Sequence, residues 1–334
     1  MKIVHFQRLP DSSFHSIERV FASVRSALNG VEIKVKVCPF ESRGVFKRLG
    51  NMVTASLCQG HVNHITGDVH YLALLLRKRR TILTIHDCRG MLWQSGIRRL
   101  FFQLVWLKLP VARSAVVTAI SEQTRQEVLL YTSCPKDKVR VIPDPVGSEF
   151  RPTPKAFRTD QPRILQVGTA INKNIERLVE ALSGLHCKLD VVGPLSAVAR
   201  RQLEQAGIEY ECAEDPSDSD VAAKYRDADL LVFCSTYEGF GMPIIEAQAV
   251  GRPVVTSNME PMAEVAGGAA CLVDPYDVGS MRKGILRVIE DPTYREDLVR
   301  RGFENVNRFS AEEIGRRYLK LYQEMVRPYE TLHN

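Results

Sequence analysis

The feature that most constrains this chain is a change of period, repeated from one end to the other. Short β-branched and aliphatic runs alternate with amphipathic stretches of helical length, the rhythm of βα units wound around parallel sheets. In the first half strands are expected at residues 2–6, 32–37, 81–86, 115–120 and 139–142. In the second half they are expected at 163–167, 189–192, 208–210, 230–234, 253–256 and 271–273. Helices are expected at 13–28, 71–79, 97–109, 122–131, 174–185, 197–206, 244–250 and 278–290.

Between the two series lies Pro143-Asp-Pro-Val-Gly-Ser-Glu-Phe-Arg-Pro-Thr-Pro, followed by Gln161-Pro162. Proline neither continues a helix nor pairs in a central strand, so this stretch reads as a linker. The expected division is a Rossmann-like domain over 1–155, a second over 156–310, and a C-terminal helix over 311–334 packing back toward the first. A chain of 334 residues is long for one core and suits two. Ligands of doubly wound sheets bind beyond the carboxyl ends of the strands, so two facing domains would meet across a cleft.

Composition excludes several classes. With 45% hydrophobic and 25% charged residues the chain is globular, not disordered. The formal charge of +6 suits an anionic ligand or a membrane surface, and equally a set of solvated side chains. Eight cysteines (Cys38, Cys58, Cys88, Cys134, Cys187, Cys212, Cys234 and Cys271) show no metal or redox spacing, and several lie in apolar runs. They read as buried, reduced thiols of a cytoplasmic protein. Met1-Lys-Ile-Val-His-Phe-Gln-Arg breaks any signal-peptide core early, and no apolar run is long enough for a spanning helix. No G-x-G-x-x-G or G-K-[ST] follows a strand, which removes dehydrogenase and P-loop readings.

The most distinctive passage is Ser235-Thr-Tyr-Glu-Gly-Phe-Gly-Met-Pro-Ile-Ile-Glu-Ala-Gln-Ala-Val-Gly-Arg-Pro-Val-Val-Thr. It leaves a strand, turns through Gly239 and Gly241, and enters a helix with Pro243 in its first turn. Glycine lets backbone approach a ligand closely, and the free amides of a helix start attract phosphate. Glu238 and Glu246 flank the loop, and a carboxylate there can accept hydrogen bonds from vicinal hydroxyls. Taken singly, Glu246 could complement the helix dipole and Glu238 could cap the turn.

Together these residues resemble the E-x7-E signature of family 4 retaining nucleotide-sugar glycosyltransferases of the GT-B fold. The resemblance implies two Rossmann-like domains facing across a cleft. It also implies a nucleotide diphosphate-sugar as donor, with no metal or other cofactor, and a glycan, lipid-linked glycan or small molecule as acceptor. Carried over, Glu238 contacts the transferred sugar and Glu246 holds the ribose. Phe240, Gly241 and Met242 give backbone donors, framed by Gly239 and Pro243. Val167-Gly-Thr-Ala-Ile-Asn-Lys matches the family's glycine turn, so Gly168, Thr169 and Lys173 fall to the donor, with Lys173 opposing the diphosphate. Many relatives carry an arginine where this chain has Thr169 or Asn172. Ser257-Asn-Met-Glu-Pro-Met-Ala-Glu resembles the closing segment, with Glu264 structural.

In the first half Thr81-Ile-Leu-Thr-Ile-His-Asp resembles the family's strand-end His-Asp, which makes His86 the candidate near the reacting sugar and gives Asp87 a loop-ordering role. Ser121 caps a helix. The first loop, Gln7-Arg-Leu-Pro-Asp-Ser-Ser-Phe-His-Ser, departs from the family's glycine-rich turn. Arg8, His15 and Ser16 could reach donor or acceptor there, and Asp11, Ser12 and Ser13 could equally start a helix.

Residues 97–109 mix aromatic and aliphatic side chains with Arg98, Arg99 and Lys108. An interfacial membrane helix has this composition, and so has a buried helix with snorkelling ends; the buried helix is the reading preferred here. Asp227-Ala-Asp229 precedes a strand and so does not read as a metal motif. A sugar-nucleotide epimerase and a non-catalytic donor-binding subunit remain rivals, and nothing points to nucleic acid.

Overall fold

The computed structural model describes residues 1–10, 16–28 and 30–330, with side chains to Val326; Asp11, Ser12, Ser13, His15 and the Ser16 side chain lie outside them. The chain forms two compact units, one of residues 1–145 with 311–334 and one of residues 146–310.

The first unit holds six parallel strands: β1 Lys2–Gln7, β2 Glu32–Val37, β3 Val62–Ile65, β4 Thr81–Ile85, β5 Val116–Ala119 and β6 Val139–Val141, in the order β2-β1-β3-β4-β5-β6. The second holds β7 Arg163–Val167, β8 Lys188–Val192, β9 Glu209–Ala213, β10 Leu230–Phe233, β11 Val254–Ser257 and β12 Cys271–Val273, in the order β12-β11-β10-β7-β8-β9. Parallel sheets are covered on both faces, so their inner strands are apolar throughout, as in Leu230-Leu-Val-Phe. Successive residues feed opposite layers. Ile3 and Ile82 join the helices Ser16–Ser26 and Ala311–Glu330, whereas Val4, Phe6, Leu83 and Ile85 pack on the other face.

Both sheets contain a switch point, where the winding reverses and a crevice opens beyond the strand ends. It lies between β1 and β3 in the first sheet and between β7 and β10 in the second.

From Val146 on the proline-rich stretch belongs to the second unit, so the boundary falls after Pro145 and not near 155. Val146 N–H donates to the Phe309 carbonyl, and Thr153 N–H to that of Val250. Beyond them, Lys155 and Arg158 each reach the fully buried Asp229 carboxylate at 2.8 Å. Asp229 thus holds the incoming chain to the sheet.

Strand β3 was not foreseen, because Asn63 and His64 break its apolar pattern. Both are buried, and His64 is satisfied on each nitrogen, by the Tyr322 hydroxyl at 2.7 Å and the Thr84 hydroxyl at 2.7 Å. Tyr322 also meets His5 Nε2 at 3.0 Å. Burial and the Arg25 charge push His5 down to about 3, so it is neutral at physiological pH. The chain's last long helix is therefore pinned to the first sheet by polar groups as well as by Ile314, Tyr318 and Leu321. Replacing Tyr322 with phenylalanine leaves a buried donor and acceptor unpaired, at an expected cost of about 2 kcal/mol; urea unfolding checks it, and wild-type stability would return Tyr322 to simple packing.

Elsewhere the expected 71–79 helix is two short 3-10 turns, His70–Leu74 and Lys78–Arg80. Helices Val45–Leu57, Asp218–Asp227 and Pro292–Val306 were not foreseen. The 97–109 segment departs most. It runs as an α-helix over Gly96–Phe102, a π-helix over Gln103–Lys108 and a further α-turn over Leu109–Arg113. Pro110 lacks the N–H that would bond the Trp106 carbonyl, and His70 Nδ1 meets that carbonyl instead at 3.0 Å. The buried-helix reading fails for its first half: Gly96–Phe102 contains no buried residue.

All eight cysteines are free thiols, five buried and Cys58, Cys134 and Cys212 partly exposed. Among the described residues no helix is long and apolar enough to cross a membrane.

Candidate functional site

The second unit gathers its predicted residues at its switch point. The turn after β7 and the loop after β10 are neighbours because β7 and β10 pair, through Leu230 with Ile164 and Leu231 with Leu165. Gly168 leaves β7 at φ +85°, donating its N–H to Val192. The positive φ is one L residues avoid, so glycine is required there, and a Cβ would in addition stand 2.7 Å from Lys173 Cε and displace that side chain. Thr169 packs beside Gly193, the corresponding turn after β8.

Lys173 closes a 3-10 turn, Ile171–Lys173, and folds back over the strand ends. Its ammonium lies 2.6 Å from Glu238 Oε1 and 4.6 Å from the centre of the Phe233 ring. The two loops are also laced through backbone: Thr236 N–H donates to the Asn172 carbonyl, and Asn172 Nδ2 donates to the Tyr237 carbonyl at 2.8 Å. Asn172 Nδ2 also lies 3.3 Å from Glu238 Oε1. The Asn172 side-chain amide thus fastens one loop to the other. Gln166 Nε2, buried in β7, braces the Gly168 and Lys173 carbonyls at 3.2 and 3.3 Å.

After Glu238 the chain passes Gly239 and Phe240 and turns at Gly241, φ +111°, into the helix Met242–Val250. Phe240 is 4% exposed and packs edge-on against Phe309, so only its backbone can face a ligand. The first amides of this helix have no carbonyl four residues back, and Pro243, the second helical residue, has no N–H to leave unsatisfied.

Glu246 lies beyond the first helical turn, which contains no acidic residue. At that position it does not serve to complement the helix dipole. Its Oε2 accepts a hydrogen bond from the Tyr225 hydroxyl at 2.5 Å. Tyr225 is fully buried on the helix Asp218–Asp227. Sequence reasoning missed it, since nothing local links a tyrosine in a short polar helix to a glutamate on the next strand–helix unit. Asn174 was missed as well. At φ +61° it donates through Nδ2 to the carbonyls of Cys234 and Pro275, at 3.1 and 2.7 Å, which ties the first turn to two others.

Glu264 lies in the short helix Met262–Ala266, where its N–H is capped by the Glu260 carboxylate at 2.9 Å. Asp227 and Asp229 are at the opposite, amino end of β10. Among the described residues no group of three His, Cys, Asp or Glu side chains gathers to hold a metal ion.

His86 belongs to the first unit, at the carboxyl end of β4. Its Nε2–H donates to the Thr66 carbonyl at 2.9 Å, just after β3. Its Nδ1 lies 3.9 Å from Asp144 Oδ2, an ion-pair distance beyond that of a hydrogen bond. Burial alone would lower its pKa, but the Asp144 carboxylate more than offsets this and the imidazole is pushed up to about 9. Asp144 is itself buried, inside what reads in the sequence as linker. Asp87 accepts from the Arg89 N–H at 2.9 Å and so does order the loop that follows. Ser121 caps its helix by accepting from Thr124 N–H at 3.1 Å. Arg8 is bound by Glu18 at 2.8 Å and Asp68 at 3.1 Å.

Residues 148–305 match the family described as glycosyl transferases group 1. The O-antigen chain mannosyltransferase B of Escherichia coli is 27% identical over 230 residues, 62% of this chain and 60% of that protein. The match therefore spans less than two thirds of that relative's length. Among solved structures, sucrose-phosphate synthase of Thermosynechococcus elongatus superposes with a TM-score of 0.77 at 17% identity, over 97% of this chain and 99% of its own. Anabaena Alr3699/HepE, solved with UDP and glucose, gives 0.78 at 14% identity, over 97% and 100%. The chain has the GT-B fold, and its residues 148–305 match the group 1 glycosyl transferases.

Proposed function

We propose that this chain transfers a glycosyl group, with retention at the anomeric carbon, from a nucleotide diphosphate-sugar to a glycan or lipid-linked glycan, and that it does so without a metal ion or other cofactor. The single observation that carries the reading is the cradle at the second switch point. A flexed glycine turn with Lys173 faces a helix start at Gly241, and Glu238 and Glu246 stand on either side of that start. As the bond to the donor breaks, negative charge grows on the departing diphosphate. Fixed amides and an ammonium oppose that charge most strongly in the transition state, which is where stabilisation raises turnover. Glu246, oriented by Tyr225, would accept from the ribose hydroxyls. Glu238 would take the sugar hydroxyls once Lys173 turns from it to the phosphates. The mannosyltransferase among the relatives favours a hexose.

Thermal shift of the purified chain against UDP-, GDP- and ADP-hexoses tests the donor. One of them should raise the midpoint, equally with and without chelator, and Glu246→Ala should abolish the rise. No rise with any of the three, or a rise that needs added Mn²⁺ or Mg²⁺, would contradict the proposal.

A further inference from the structure

One surface of the first unit is left unexplained by donor chemistry. Helix Val45–Leu57 presents Val45, Phe46, Leu49, Val53 and Leu57 to solvent, with Phe46 90% exposed. The segment from Gly90 to Phe102 presents Leu92, Trp93, Ile97, Leu100 and Phe101, with Ile97 82% exposed. The two segments are neighbours, because Arg48 of the first helix lines one cavity of about 610 Å³ with Ile97, Arg98, Phe101, Phe102 and Trp106. Its guanidinium stacks 5.2 Å from the Trp106 ring and donates to the Ser42 carbonyl.

Isolated exposed apolar residues need no explanation, but a contiguous patch does. Charge decides what covers this one. Residues 42–66 contain Arg43, Lys47 and Arg48, residues 88–113 contain Arg89, Arg98, Arg99, Lys108 and Arg113, and neither stretch contains a single Asp or Glu. Exposed Glu41 pairs with Lys47 at 3.4 Å and Asp87 borders the second stretch, but Arg43, Arg48, Arg89, Arg98, Arg99, Lys108 and Arg113 leave a clear cationic excess. A cationic fringe around protruding aromatic and aliphatic side chains is complementary to anionic headgroups over hydrocarbon. Trp93, with Arg89 stacked 4.2 Å above its ring, has the amphipathic form that settles at a bilayer interface.

We propose that this face seats the protein on an anionic phospholipid bilayer, with Phe46, Trp93, Ile97 and Phe101 entering at headgroup depth and Arg48, Arg98 and Arg99 meeting lipid phosphates. The inference stands apart from the donor reading, and its test uses no sugar nucleotide.

The full chain is floated with vesicles of phosphatidylglycerol and phosphatidylcholine, and with vesicles of phosphatidylcholine alone. It should bind the anionic vesicles, bind the neutral ones much more weakly, and release as ionic strength rises. A combined Phe46→Ser, Ile97→Ser, Phe101→Ser variant should lose at least about tenfold in partitioning with its thermal midpoint unchanged, since these side chains stand in solvent. Arg98→Glu with Arg99→Glu should lose as much on anionic vesicles only, and serves independently should the triple variant fold poorly. Equal binding by wild type and the charge-reversed variant would overturn the proposal. So would a wild-type dimer in solution that the triple variant turns into a monomer, because the face would then belong to a second copy.

Discussion

Lys173→Ala should lower glycosyl transfer at saturating donor by about a hundred- to a thousandfold, the range expected when one fixed positive donor is removed from a developing anion. The argument is geometric. Lys173 is held in the crevice by the turn after β7, under the Gly168 backbone and against Phe233, and its ammonium already touches Glu238 at 2.6 Å. Because both ends of that ion pair are mostly buried, alanine also strands the Glu238 carboxylate without its counter-charge. The loss should fall chiefly on kcat and less on nucleotide affinity, since an ammonium freed from Glu238 only as charge builds binds the transition state better than the ground state. Turnover of the donor found by thermal shift, with circular dichroism to confirm folding, measures it. Unaltered turnover would take Lys173 out of the reaction and leave it a pin between two loops.

Asp144→Asn should destabilise the protein by about 3 kcal/mol near pH 6 and by little near pH 10. The proton on His86 is held to about 9 in the folded protein against 6.5 ordinarily, mainly by the Asp144 carboxylate. A group whose folded pKa is raised contributes stability that is complete below its unfolded value and disappears as pH climbs through the folded one. The window here runs from 6.5 to about 9, and its full height is about 3 kcal/mol. Urea midpoints of wild type and variant at both pH values decide the matter. A gap of the same size at pH 6 and pH 10 would mean that Asp144 contributes hydrogen bonds or packing rather than charge. His86 is in this respect unlike its buried neighbours His5 and His64, whose pKa values are lowered by burial. The Asp144 carboxylate is the main source of the difference, with the Thr66 carbonyl and Asp68 acting in the same direction.

How far the fold could be read depended on how local each signal is. Strands such as Leu230–Phe233 announce themselves, because a strand covered on both faces has to be apolar along its length. The helix that starts at Gly241 is equally legible, as positive φ and proline at a helix start are local requirements. Strand β3 was illegible for the opposite reason: His64 is acceptable there only because a hydroxyl 258 residues away satisfies it. The 97–109 segment misled because its composition fits both a core helix and an interfacial one, and burial alone distinguishes them.

The sequence alone determined the alternation of strand and helix, the glycines at 168 and 241, and the pair of carboxylates around a helix start, because each follows from backbone sterics or from spacing within one segment. Only the tertiary structure decided that Lys173 rests on Glu238, that Tyr225 orients Glu246, that Asp144 charges His86, and that a basic, apolar face is left open to solvent. Those are meetings of side chains far apart along the chain. A one-dimensional pattern can state which groups are present, but the order of strands in the two sheets decides which of them touch.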